Sequence, residues 1–283
     1  MGSISRRSHK PGMAFSNLTL RRSATSPPVA MASATGTLAP TDAIGFRTRL
    51  ALASERPAVP EPRPPVWRMM AELEYMAEPV RRRFRKIDVP RAAHPRTVMI
   101  LPGFATTPWR MRYLAVQLER AGHTVRRWGL GTNWGPTPEN VSFLEGRLAT
   151  LSELSGDKVS LVGWSLGGLF ARELARRRPA NVAKVITMGT PFSGSPRANN
   201  AWRAYQFVTG HSVDAPPITG DVAIKPPVPT VALWSPRDGI IAPRAACGRQ
   251  GERDRAIALR CTHMGFSFSR EAIETLAAEL DAP

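Results

Sequence analysis

Residues 159–174 read V-S-L-V-G-W-S-L-G-G-L-F-A-R-E-L. A short apolar run, suited to a strand buried on both faces, breaks at Gly163 and resumes at Leu166 with helical spacing. The three residues Gly163-Trp164-Ser165 leave no room for an ordinary loop. Gly163 and Gly167 lack the Cβ atoms that would clash across so tight a strand-to-helix turn, and Gly168 lets the helix start close to the sheet. Ser165 is thereby perched at the tip of the turn. This junction demands a sheet covered by helices.

The rest of the chain supplies one. Apolar, strand-type runs occupy 97–101, 123–130, 158–162, 182–188, 230–234 and 255–259. Helical patterns separate them at 109–121, 138–154 and 166–178, with stops at Gly122, Gly156 and Pro179, and a last helix covers 269–280. Strands alternating with helices predict a mostly parallel sheet with helices on both faces, in the α/β class. Residues 193–227 form an irregular insertion. Upstream, Trp67, Met70, Leu73, Met76, Val80 and Phe84 recur at helical steps and predict an amphipathic helix over 67–85, bent at Pro79. Residues 1–64 are rich in Ser, Ala, Thr, Pro and Arg and end in a Pro-rich linker. They read as a disordered basic tail ahead of a domain at 65–283, since so few large apolar groups cannot offset the entropy of ordering.

The chain has 283 residues and a net charge of +17, carried mainly by arginine. Its clusters are scattered and no nucleic-acid motif accompanies them, so no specific nucleic-acid partner is expected. The basic tail suits peripheral contact with an anionic membrane. No apolar run approaches the ~18 residues of a membrane span. Arg6-Arg7 is followed by no secretory apolar core, so the default location is cytoplasmic, with an organelle transit peptide as the alternative. Cys247 and Cys261 flank one predicted strand; two free thiols or a single bridge are both compatible with that spacing. Nothing in the sequence bears on oligomeric state.

A serine hydroxyl is a poor nucleophile near neutral pH and needs a base, itself oriented by an acid. With the serine on a strand-to-helix turn, acid and base should follow it in that order. Of the five histidines, His9 lies in the tail, His94 and His123 precede Ser165, and His211 lies in the insertion. His263 alone follows a late strand. Asp238 stands immediately past the strand at 230–234; Glu252 and Asp254 are rivals that follow no strand directly. Donors for a developing oxyanion are expected at the backbone N–H of Leu166 and of Phe104, in the loop L-P-G-F after the first strand.

With L-P-G-F at 101–104, the chain carries W-G-L-G-T-N-W-G-P-T at 128–137, G-W-S-L-G-G at 163–168, G-T-P-F-S-G at 189–194, S-P-R-D-G-I-I at 235–241 and T-H-M-G-F at 262–266. From about residue 65 onward it resembles an α/β-hydrolase of the bacterial lipase/esterase type. That resemblance implies the α/β-hydrolase fold, a Ser165–Asp238–His263 triad with Phe104 and Leu166 as oxyanion donors, and neither metal nor organic cofactor. It also implies a small-molecule ester substrate, cleaved through an acyl-enzyme. Transfer of the acyl group to another acceptor, or cleavage of a thioester, would use the same triad. A non-catalytic binding protein that uses the tail on nucleic acid or membrane is the alternative of another class.

The insertion stands where such folds carry a lid. Trp202, Tyr205 and Phe207 lie in it, with Ala201, Tyr205 and Val208 on one face of a short helix, either as a lid or as ordinary packing. Trp109, Trp134 and Trp164 are candidate pocket walls, although tryptophan is usually buried in any case. A small lid suits an ester with an apolar acyl group.

Overall fold

The computed structural model describes Gly2 and residues 44–57, 61–217 and 220–282. All but Gly2 belong to one unit of the chain, Thr35–Pro283. The first element is helix α1 (Phe46–Ser54), followed by α2 (Trp67–Ala71), a 3₁₀ segment (Glu72–Ala77) and α3 (Glu78–Phe84). Then come β1 (Thr97–Leu101), α4 (Arg112–Arg120), β2 (Thr124–Arg127), α5 (Pro138–Ser155), β3 (Val159–Trp164), α6 (Leu166–Arg177) and β4 (Val182–Met188). The chain finishes with α7 (Trp202–Thr209), β5 (Thr230–Trp234), α8 (Pro243–Cys247), β6 (Arg255–Ala258) and α9 (Arg270–Asp281).

The six strands form one sheet in the order β2-β1-β3-β4-β5-β6, parallel throughout. Alternation along each strand sends side chains to opposite faces. Val98 and Ile100 join Val162, Ile186 and Leu233 beneath α4 and α9, where Leu114, Leu118 and Leu276 close the layer. Met99 and Leu101 join Leu161 and Val185 beneath α5 and α6, with Leu144, Leu148 and Leu174. Each such leucine, once buried, contributes roughly 2 kcal/mol. The doubly covered parallel sheet agrees with the expected fold class.

Local signals explain the helix ends. Thr137 caps α5 by accepting from the Asn140 N–H at 3.2 Å, Pro138 sits in its first turn, and Gly156 ends it in the left-handed region at φ 66°. Ser269 caps α9 through the Ala272 N–H at 3.2 Å. The predicted strand at 123–130 is shorter, because the backbone leaves the sheet after Arg127.

Upstream of the sheet the structure differs from the sequence reading in two places. Within the segment expected to be a disordered tail, residues 46–54 form α1, which lies on α7; most of that segment falls outside the described residues. Its anchors are polar. Arg49 donates to the carbonyls of Phe207 and Val208, Gln206 Nε2 to that of Leu52, and Arg203 to that of Ala53. Few apolar groups are needed for such docking, so composition misses it.

The predicted helix over 67–85 is broken into three pieces, and its apolar face points outward. Trp67 is 69 % exposed and Phe84 85 %, with Met70, Leu73, Met76 and Val80 also open to solvent. Glu72 and Glu78 are buried instead. The central turn is 3₁₀, so residues three apart share a face, and Glu72, Tyr75 and Glu78 line the inner one. Glu78 is held there by Arg82 and Arg85 at 3.1 and 3.2 Å, and Tyr75 stacks under Arg110. This strap faces polar loops rather than the apolar core, which is why its acids turn in.

Candidate active site

The carboxyl ends of β3, β5 and β6 place the three sequence-selected residues. Ser165 follows β3 with φ 53° and ψ −123°, a conformation that costs a non-glycine residue about 1–3 kcal/mol. It persists because the turn is locked on every side. Its N–H donates to the Met188 carbonyl at 2.8 Å, and its carbonyl accepts from the Gly168 N–H at 3.0 Å. A Cβ on Gly163 would overlap the backbone of Gly167 and Gly168, and one on Gly167 would overlap the Leu101 carbonyl. Close approach, as expected, is what these two glycines permit.

Asp238 and His263 are 1 % and 3 % exposed, and the imidazole Nδ1 lies 2.7 Å from the Asp238 Oδ2. The other carboxylate oxygen accepts from the Ile240 and Ile241 N–H groups, each at 2.8 Å. With the aspartate ionised, Nδ1 must be the donor, which leaves Nε2 as the free basic atom. Burial pulls the His263 pKa down, but the Asp238 charge and hydrogen bond outweigh it, with help from Glu72, and the net shift is upward. The rival acids are engaged elsewhere: Asp254 with Lys225 and the Thr230 N–H, Glu252 with the Arg249 N–H. His123 sits at the start of β2, where its Nδ1 accepts from the Arg96 N–H.

Trp164 ties the serine turn to the histidine loop. It is buried, its Nε1 donates to the His263 carbonyl at 3.1 Å, and the two ring centroids are 5.7 Å apart. Leu166 opens α6, so its N–H is one of those a helix leaves without an internal partner. The loop after β1 reaches the same place: a Cβ on Gly103 would lie 3.2 Å from the Ser165 Cβ. Asn133 fixes that loop, donating through Nδ2 to the Pro102 carbonyl at 2.7 Å while its own carbonyl accepts from the Ala105 N–H.

Beside Ser165 opens an apolar cavity of about 140 Å³, walled by Phe104, Leu166, Phe170, Trp202, Tyr205 and Ile241 among others. The insertion helix α7 is therefore its roof, with Ala201, Trp202 and Tyr205 facing in. Five expected wall or roof residues do not take that place. Trp109 is 65 % exposed and stacks with Arg112, and Trp134 is absent from the lining. Phe207 points away to meet Phe46 of α1 edge-on, and Val208 is not a wall. Trp164 lies beneath the site rather than in the cavity. The two cysteines are both free, and burial pushes the Cys261 thiol up.

Sequence reasoning missed Glu72. It is 6 % exposed, its Oε1 accepts from the N–H groups of Gly239 and His263 at 2.8 and 2.9 Å, and its Oε2 from that of Met264 at 2.8 Å. The one signal was a pair of acids, Glu72 and Glu78, six residues apart within an otherwise apolar pattern.

Comparison with known proteins agrees with this architecture. A family model described as the α/β hydrolase fold matches residues 139–212, from α5 through β3 and α6 into the insertion. Over 67 residues the chain is 46 % identical to a pimeloyl-[acyl-carrier protein] methyl ester esterase of Aromatoleum aromaticum, a match covering 24 % of each protein. In structure it is similar to Aspergillus fumigatus lipase B, with a TM-score of 0.51 and 18 % identity over 66 % of this chain and 53 % of that one. A Bacillus licheniformis lipase in its propeptide form gives 0.51 and 17 % over 69 % and 53 %. The match thus spans about a quarter of the esterase's length and about half of each lipase's. With the parallel sheet, the strained serine turn and these partial matches together, the chain has the α/β-hydrolase fold.

Proposed function

We propose that the protein is a serine hydrolase of carboxylic esters, with Ser165 as nucleophile, His263 as general base and acid, and Asp238 as its partner. The observation that carries this reading is the buried 2.7 Å contact between His263 Nδ1 and Asp238, beside a strained serine that opens on an apolar cavity. Ser165 Oγ attacks the ester carbonyl carbon as His263 Nε2 takes its proton. The negative oxygen is received by the N–H groups of Leu166 and Phe104. The imidazolium, stabilised by Asp238, then protonates the departing alcohol. Water enters, gives a proton to the same nitrogen and releases the acid, and Ser165 recovers its hydrogen.

The cavity sets the acyl group. Its walls are apolar, and at about 140 Å³ it compares with an engineered apolar cavity of roughly 150 Å³ that holds benzene. An acyl chain of about four to six carbons, or an aryl group, matches that space. The partial match to a methyl ester esterase supports an ester as the substrate.

A fluorophosphonate probe and a panel of p-nitrophenyl esters of graded length test the proposal. Labelling and hydrolysis should both vanish in Ser165→Ala. Undiminished labelling of that variant overturns the assignment.

A further inference from the structure

Glu72 is buried without a cation. Among the described residues its carboxylate forms no salt bridge, in contrast to Glu78 six residues on, which has Arg82 and Arg85. Among the described residues its two oxygens are met by peptide dipoles alone, three N–H groups at 2.8–2.9 Å. Ionised carboxylates are rarely buried unpaired, so the site that does this is specialised.

The identity of those three N–H groups matters more than their number. Gly239 follows Asp238 directly, and the other two belong to His263 and to Met264 after it. One side chain therefore grips both loops of the dyad at the backbone of the dyad itself. Few other bonds join those loops: the Asp238–His263 contact, and Ser235 Oγ donating to the Cys261 carbonyl at 2.5 Å. The rest of the strap reinforces the grip. Glu74 Oε1 accepts from the Thr262 hydroxyl at 2.7 Å, and Arg68 donates to the Pro236 carbonyl at 2.6 Å. Asn200, from the insertion, bridges the Pro64 and Gly239 carbonyls at 3.0 and 2.9 Å.

We infer that Glu72 is a positioning residue for the Asp238–His263 pair, holding the imidazole where it serves Ser165 and lending negative charge to its protonated form. The inference rests on the reading of His263 as the base. Only a carboxylate of this length does the work. Its two oxygens offer about four acceptor sites to three donors, whereas glutamine has one oxygen and would turn an NH₂ group toward an N–H. Aspartate keeps the charge but is one methylene short. Both effects reach the reaction through the histidine, where a displacement of about 1 Å costs on the order of 100-fold in rate.

The test uses the full chain with Glu72→Gln, Glu72→Asp, Glu78→Gln and Ser165→Ala, assayed with p-nitrophenyl butyrate, with pH profiles and melting temperatures measured alongside. Glu72→Gln should lower kcat by about 10- to 100-fold with KM within about twofold. It should also move the acid limb of kcat/KM to lower pH, because Asp238 and Glu72 are the two charges that raise the imidazole pKa. Glu72→Asp should lose rate while keeping the limb in place, which separates geometry from charge and stands in should the glutamine variant fail to fold. Glu78→Gln, a structural control in the same strap, should lower the melting temperature without moving the limb. If an active wild type is matched by Glu72→Gln in kcat and in limb position, the inference is overturned alone. Equal limb shifts in the Glu72 and Glu78 variants overturn it as well. A wild type whose hydrolysis survives Ser165→Ala overturns the functional reading and takes this inference with it.

Discussion

The rings of Phe104 and Tyr205 meet with centroids 5.4 Å apart, joining the loop after β1 to the insertion helix across the mouth of the cavity. The cavity's roof and the loop after β1 are thus linked through one aromatic pair. Tyr205→Ala should cost about 3 kcal/mol of stability, since a nearly buried ring leaves a void. It should also raise KM for p-nitrophenyl butyrate about tenfold and shift the chain-length optimum upward, because one lost apolar contact is worth 1–3 kcal/mol. An ester panel on the variant and a denaturant melt check both.

The raised pKa of His263 has opposite consequences for activity and stability. In the proposed mechanism the neutral imidazole is the base, so kcat/KM should reach half its plateau above the ordinary histidine value of 6.5. The charged imidazolium is what Asp238 stabilises. That stabilisation is fully present below pH 6.5 and is lost as pH rises through the folded-state value. The protein should therefore become less stable over the pH range in which it becomes active. Melting temperatures taken across that range, with Asp238→Asn as control, measure the linkage; the variant should lose the slope.

Strain at Ser165 is open to a direct measurement. Glycine accepts a positive φ without penalty, and alanine does not. Ser165→Gly and Ser165→Ala are both expected to be inactive. The glycine variant should nevertheless be the more stable by roughly 1 kcal/mol, or about 2–4 °C in Tm for a domain of this size.

The docking of α1 on α7 predicts a fourth outcome. Arg49→Ala removes the donor to the Phe207 and Val208 carbonyls and should free the insertion. Proteolysis within residues 193–227 should quicken several-fold, while kcat on a short ester stays within about twofold.

Much of this was legible beforehand, for physical reasons. Strands buried on both faces read as apolar runs, so β1, β4 and β5 coincide with their predicted bounds. Chain order at strand ends selects Ser165, Asp238 and His263 as candidates, and the last two lie in contact. What failed depends on what an element packs against. The periodicity over 67–85 locates an amphipathic segment but not which side is wet, and here the polar loops claim the acids. Trp109 and Phe207 fail likewise, as a sequence does not say which way a short helix turns. Arg49 and Gln206 hold α1 through backbone carbonyls, which have no signature in residue type.

The strap also imposes a timetable on the chain. Glu72 and the His263 N–H it accepts from are 191 residues apart, so at roughly 5–20 residues per second a ribosome makes the second about 10–40 s after the first. The first of its three donors, Gly239, comes only 167 residues after the early carboxylate, and until then the outward apolar residues of α2 and α3 are attached to no finished sheet. Joining segments so far apart in the chain is a long-range closure, of the kind that slows folding. The grip of Glu72 on the Asp238 and His263 loops is therefore a late contact: the strap is made long before either of the loops it holds.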